Sequence, residues 1–489
     1  MSLTPAAWLS LPWLVFLGYA VMVLRATPGR AGPMAFFGGH SLQGRAPGIW
    51  LLGASAAVSW VMAKSVDNAM NLTVAFGWWG GIGYAAYWLA FVVVAIAVYF
   101  IRTRGGDTSL AAFLGRKYGL PATRLFLVVI GIRLFNEVWS NTKVAALYFG
   151  AEGSVGYWLA ALAFAGLTLY YSRRGGLRSS IVTDAIQMLL IALLLVITLT
   201  VLAPGVAASG VPSVANGGLR PDMVAGGITF FILALVQTLS YGFHDPVLTD
   251  RAFVSPPLKM VASFVLAALL GGTLIAGFSV AGLYALVNGI DPAPSVAIAI
   301  PMALGLGMLL LFNAVMLASA GSTLDSTFAS TAKFGARDWR IARAVPTLDD
   351  QARGRRAMWI IALLGNLPLL SFYIDGVGPA VIAATTISGT AIMGLAPIFL
   401  LAWVRPAGTL SFHLALWPGV LIGLLLALQK LADLPTIPDW VHLGTGPYAQ
   451  TLGINVWGLA LCTVLFLTGA VIDLLRGRVV YPVRSNSFS

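Results

Sequence analysis

The stretch Leu317–Ser330, LASAGSTLDSTFAS, decides how this chain is read. It lies inside a long apolar run, yet it carries Ser319, Ser322, Thr323, Asp325, Ser326 and Ser330. On a helix, at about 100° per residue, the hydroxyls fall on one stripe with Asp325 at its edge. A hydroxyl oxygen is a hard, neutral ligand, and a carboxylate adds charge. A stripe of both in a dry environment can replace the hydration shell of a small cation. Small hydroxyl residues also let membrane helices pack closely, and the spacing alone suits either use. The aspartate weighs towards the first, because a carboxylate at bilayer depth costs roughly 2.5–3.5 kcal/mol on insertion scales and usually marks an ion or solute path.

The rest of the chain makes bilayer depth the expected setting. The 489 residues are 59% hydrophobic and 9% charged, with a mean hydropathy of +0.89; a soluble domain carries about 25% charge. The composition is that of an all-α integral membrane protein. Runs of roughly 20 apolar residues fall near 8–25, 48–76, 80–102, 122–149, 154–171, 180–203, 224–247, 257–288, 297–331, 357–373, 377–404, 411–431 and 452–475, which makes about 13 transmembrane helices. The net charge of +12 does not point to nucleic acid. Its Lys and Arg residues cluster in alternate loops, as membrane topology requires. Examples are Arg102/Arg104/Arg116/Lys117, Arg173/Arg174/Arg178, Arg251/Lys259 and the run from Lys333 to Arg356. This pattern sets the N-terminus outside and the C-terminus in the cytoplasm. The first span lacks a positive segment before its apolar run, so it reads as an uncleaved helix rather than a signal peptide. The single cysteine, Cys462, is a packing residue, and no cysteine–histidine cluster offers a metal site.

Two spans are interrupted by polar residues. SAAVSWVMAKSVDNAMN (55–71) holds Lys64, Asp67 and Asn68, and VQTLSYGFHDP (236–246) holds Gly242, His244, Asp245 and Pro246. Paired broken helices are the sequence pointer to a transporter's binding site. Asp245, followed by Pro246 and Arg251, reads better as a membrane-boundary residue.

Three segments resemble the sodium/solute symporter family: RRGGLRSSIVTDAIQ (173–187), AGSTLDS (320–326) and FFGGHSLQG (36–44). The resemblance implies the leucine-transporter fold, a five-plus-five inverted repeat whose first helix in each repeat is broken. Residues 1–47 would form an extra N-terminal helix and inner loop, 48–203 the first repeat, 204–223 an outer loop, 224–404 the second repeat, and 405–489 two further helices and a short tail. It also implies a sodium site made by Ser322 and Thr323 hydroxyls and by the carbonyls of Ser319, Val58 and Val61. Asp184 matches a family aspartate near the ion, and a second sodium would sit among Asp184, Ser322, Asp325 and Ser326. Asp184 also suits a helix N-terminus or a partnership with Arg178. One or two Na⁺ and no organic cofactor are therefore expected.

In this fold the solute binds between the two broken helices and the third helix of the repeat. The candidates are Trp60, Lys64, Ser65, Asn136, Glu137, Asn141, Thr238 and Tyr241. Asn136, Glu137, Ser140 and Asn141 share one helical face by their spacing. Glu137 needs a partner at this depth. Lys64 or Lys143 would serve, or Lys64 meets a solute carboxylate and Glu137 an amine. The expectation is a sodium-coupled symporter in the inner membrane that imports a small polar solute, an amino acid or an organic acid, by alternating access. The alternatives are a sodium-independent or proton-coupled carrier in which Lys64 replaces a cation, and a transporter-like solute receptor signalling through a partner. No nucleophile–base pair suggests an enzyme.

Overall fold

The computed structural model describes residues 5–477 except 42, 211, 216–217, 294, 343–344, 374–387 and 433–436. The described elements are all helical. In chain order the principal ones are α1 (Pro5–Ala26), α2 (Ile49–Trp60), α3 (Ala63–Phe76), α4 (Trp78–Gly105), α5 (Gly119–Ala146), α6 (Val155–Gly175), α7 (Leu177–Ala208), α8 (Pro221–Tyr241), α9 (Pro246–Arg251), α10 (Pro257–Val287), α11 (Leu306–Lys333), α12 (Leu348–Leu364), α13 (Thr409–Ala432) and α14 (Ala449–Leu475). Among the described residues ten helical segments are long and apolar enough to cross a membrane, and eleven if the bent pair α2–α3 is one span. The expected count of 13 is therefore not reached there. The apolar part of α1 is short, and of the span expected at 377–404 residues 377–387 lie outside the described residues while the remainder forms only the short helices Ser388–Ala391 and Leu395–Leu400. The span expected at 297–331 is divided. A short helix Val296–Leu304 ends at Gly305, whose φ of +93° only glycine adopts without strain, and α11 starts after it.

The first break lies at Val61–Met62, where the chain turns by 62°. No proline or glycine causes it. The helix closes there on a tight turn, in which the Val61 amide donates to the Ala57 and Val58 carbonyls at 3.1 and 3.0 Å, and side chains of α11 add to the last carbonyls of α2. Ser322 Oγ donates to the Val58 carbonyl at 3.0 Å, and Thr323 Oγ1 donates to the Ser59 carbonyl at 3.2 Å. The serine-rich stripe thus satisfies the unwound turn. The second break has a local cause. Pro246 drives Asp245 out of the helical region, and Asp245 then caps α9, accepting from the amides of Val247 and Leu248 at 3.0 and 3.4 Å.

The centre is packed around α2, α3, α7, α10 and α11. Small residues permit the close approach. A Cβ on Gly282 of α10 would lie 2.3 Å from the Met70 carbonyl oxygen and 2.7 Å from Thr73 Cβ. Gly282→Ala is expected to destabilise the protein by about 1–3 kcal/mol, as overpacking does, seen as a lower midpoint of thermal unfolding in detergent. An unchanged midpoint would mean that α3 and α10 have slack between them.

Candidate functional site

Three clusters meet where the unwound turn faces α11. The first is a cradle of neutral oxygens. Ser322 Oγ lies 3.0 Å from the carbonyls of both Val58 and Ser319, and Thr323 Oγ1 lies 3.1 Å from the Ser319 carbonyl. All four residues are buried. Of the carbonyls expected from the first broken helix, Val58 meets the hydroxyls, while Thr323 bonds Ser59 in place of Val61. Neutral oxygens at a helix break, away from water, are the donor set an alkali cation needs.

The second cluster adjoins it and differs from expectation. Arg251, expected among the inner-loop charges, is fully buried. Its Nη2 donates to Asp184 Oδ2 at 2.8 Å, Ser326 Oγ at 2.7 Å and Ser180 Oγ at 3.0 Å, and its Nε donates to Ser55 Oγ at 3.0 Å. The partner of Asp184 is thus Arg251, not Arg178. The guanidinium takes the Asp184 and Ser326 oxygens proposed for a second sodium. Ser55 also donates to Asp184 Oδ2 at 2.6 Å, whereas Asp184 Oδ1 is buried with no partner among the described residues. Asp325 is fully buried too. It accepts from Tyr171 at 2.9 Å, Thr183 at 2.8 Å and Ser326 at 3.3 Å. Arg251 therefore pairs with Asp184, while Asp325 is held by hydroxyls; with both carboxylates ionised the cluster carries one negative charge.

The third cluster is a chain of alternating charges across α3, α5 and α9. Lys64 Nζ donates to Glu137 Oε1 at 2.7 Å and to Ser140 Oγ at 3.2 Å. Arg133, one turn before Glu137, pairs with that carboxylate and also donates to Asp245 Oδ2 at 2.8 Å. Asn141 Nδ2 donates to Glu137 Oε2 at 3.1 Å. Lys143, the other candidate partner, pairs with Glu152 at 2.7 Å instead. Asp245, read as a membrane-boundary residue, is 1% exposed and packed inside the protein. Two cations and two anions balance here. Sequence reasoning missed Arg133, although its spacing of four from Glu137 was a readable sign.

A cavity of about 160 Å³ lies beside the first break, lined by Trp60, Met62, Lys64, Ser65, Tyr84, Tyr87, Trp88, Gln237, Tyr241, Ser388 and Gly389. Of the expected solute residues, Trp60, Lys64, Ser65 and Tyr241 line it. Asn136, Glu137, Asn141 and Thr238 do not: Glu137 stands behind Lys64, and Thr238 bonds its own helix at the Leu235 carbonyl. The aromatic wall from α4 was not anticipated. Tyr84, Tyr87 and Trp88 sit in an ordinary apolar span, and nothing in that span's pattern sets one face apart. Trp60 packs edge-on against Trp88 and Tyr241, and Tyr87 donates to Gln237 Oε1 at 2.5 Å.

No protein-family model matches the chain. Over 163 residues it is 24% identical to the sodium/glucose cotransporter 4 of Danio rerio; the match covers 32% of this chain and spans 24% of that relative's length. Among solved structures, a Na⁺-coupled sialic acid symporter in its substrate-bound outward-open state superposes with a TM-score of 0.71 at 15% identity, over 95% of this chain and 98% of that one. The nucleobase-cation-symport-1 family transporter Mhp1 in a closed conformation gives 0.52 at 14% identity, over 94% and 97%. A manganese transporter of Eremococcus coleocola gives 0.50 at 13%, over 88% and 95%. The chain therefore has the leucine-transporter-like fold of secondary transporters, and it resembles the sodium/solute symporter family.

Proposed function

We propose that the chain is a Na⁺-coupled symporter that takes up a small solute by alternating access, one Na⁺ per cycle. The observation that carries this reading is the cradle of Val58, Ser319, Ser322 and Thr323 oxygens beside a buried cluster one negative charge from neutrality. A single alkali cation there balances the charge and cross-links the unwound turn to α11. Trp60 and Lys64 lie just beyond Ser59, so fixing that turn also shapes one wall of the cavity. Ion binding and solute binding thereby stabilise one arrangement of the same few residues, which is the coupling that symport requires. The repeats would run over 48–203 and 224–404, with the N-terminus outside and the C-terminus cytoplasmic, as the loop charges suggest.

A second reading has its own support. Arg251 holds the Asp184 and Ser326 oxygens that a second Na⁺ would use. It acts as a tethered cation and limits the stoichiometry to one ion. The test is Na⁺-dependent thermal stabilisation of the purified protein, with choline as the control. A Hill coefficient near one is expected. Ser322→Ala and Thr323→Ala should each raise the half-saturating Na⁺ by about tenfold, the effect of one lost ligand. Stabilisation by Na⁺ that survives both substitutions would remove the cradle from the mechanism, and a coefficient near two would restore the second ion.

A further inference from the structure

The cavity's own chemistry narrows the solute, and this inference rests on the reading of the chain as a symporter. We infer that the transported solute is a small monocarboxylate with an apolar or aromatic body and no ammonium group. Five aromatic side chains, Trp60, Tyr84, Tyr87, Trp88 and Tyr241, enclose the space. Among the described lining residues one charged group is present, the Lys64 ammonium, with its side chain 23% exposed. An ammonium has three N–H donors. Glu137 and Ser140 take two of them, which leaves one for a ligand at the cavity wall.

An anionic acceptor to pair with an ammonium is lacking among the described lining residues. No carboxylate lines the cavity, and both Glu137 oxygens are engaged, by Lys64 and Arg133 on one side and Asn141 on the other. Gln237 is likewise committed, accepting from Tyr87 and donating to Asn455 Oδ1 at 3.3 Å. A sugar needs many uncommitted hydrogen-bonding groups, and a zwitterion needs an anion opposite Lys64. A carboxylate needs the donor, and its body needs the rings.

Charge makes the inference testable in a second way. One Na⁺ moving with one carboxylate transfers no net charge, whereas one Na⁺ with a zwitterion transfers one. The experiment measures binding of benzoate, pivalate, benzamide, benzylamine and phenylalanine to the purified full chain by tryptophan fluorescence, in Na⁺ and in choline. It also measures uptake of labelled benzoate and phenylalanine into proteoliposomes under an imposed Na⁺ gradient or an imposed potential. Benzoate or pivalate is expected to bind at least about tenfold more tightly than benzamide, and Lys64→Gln is expected to erase that ratio, since a hydrogen bond to a charged group is lost. Benzoate uptake should follow the Na⁺ gradient and ignore the potential. Lys64→Gln still leaves Glu137 paired with Arg133, and retained Na⁺ stabilisation of the variant shows that it is folded.

Equal or tighter binding of benzamide, benzylamine or phenylalanine overturns the inference. So does an undiminished benzoate preference in folded Lys64→Gln, failure of both carboxylates to bind, or potential-driven uptake. The two readings fail separately. Carboxylate selectivity that is the same in choline, with no Na⁺ stabilisation, sinks Na⁺ coupling and leaves the solute class standing. Na⁺ stabilisation that depends on Thr323, with no carboxylate preference, does the reverse.

Discussion

Asp184→Ala is expected to destabilise the protein by about 3–5 kcal/mol, the range for breaking a buried ion pair by removing one partner. The cause is the group left behind. Arg251 is fully buried, and Asp184 is the carboxylate that its Nη2 meets at 2.8 Å. Without Asp184 the guanidinium keeps only hydroxyl and carbonyl acceptors: Ser55, Ser180, Ser326 and the Val247 carbonyl. The double variant Asp184→Ala/Arg251→Met should recover most of the loss, because an apolar chain of similar length replaces the stranded charge. Thermal and denaturant unfolding in detergent would measure all three proteins. Single effects that merely add in the double variant would show that the pair is not a coupled unit. The single variant Arg251→Met carries a further expectation. It leaves Asp184 without its cation beside the buried Asp325, so its stability should rise more steeply with Na⁺ concentration than that of the parent.

The second large effect is expected at Arg133→Met, at about 2–4 kcal/mol. A broken buried pair sets the upper end. The lower end reflects what Asp245 retains, since it still caps α9 and faces the positive end of that short helix. Glu137 meanwhile keeps Lys64. Lys64→Gln should cost less, because Glu137 then keeps Arg133 and the substituted side chain is partly exposed in the cavity. The order of the two effects is the decisive measurement. A larger loss for Lys64→Gln would mean that Lys64, not Arg133, holds the charge chain together.

Much of the fold was legible in the sequence because bilayer burial writes itself as length and hydropathy. The two breaks were legible as well. Lys64 and Asp67 in one span, and Gly242 to Pro246 in the other, have no place in an unbroken lipid-facing helix. The hydroxyl stripe of α11 pointed to a cation through its spacing and its aspartate, and only the family resemblance set it against the broken helix. Other features were hidden because the sequence gives no depth for a charge near a span's end. Arg251 follows a proline and stands close to Lys259, so it reads as a loop residue, yet the capped turn at Asp245 carries it inward to Asp184. The aromatic wall was hidden for the opposite reason: Tyr84, Tyr87 and Trp88 are ordinary in a lipid-exposed span, and only packing distinguishes a ring that faces a cavity. The division of the ninth expected span at Gly305 was missed because apolar residues continue on both sides of it.

Asp250 and Arg251 are neighbours at the end of α9, and each is fastened to α11. Arg251 reaches Ser326, and Asp250 pairs with Lys333 two turns further along the same face. A swing of α9 away from α11 has to undo both fastenings together, since one short rigid turn carries them. Loss of either fastening alone therefore leaves α9 held to α11 by the other.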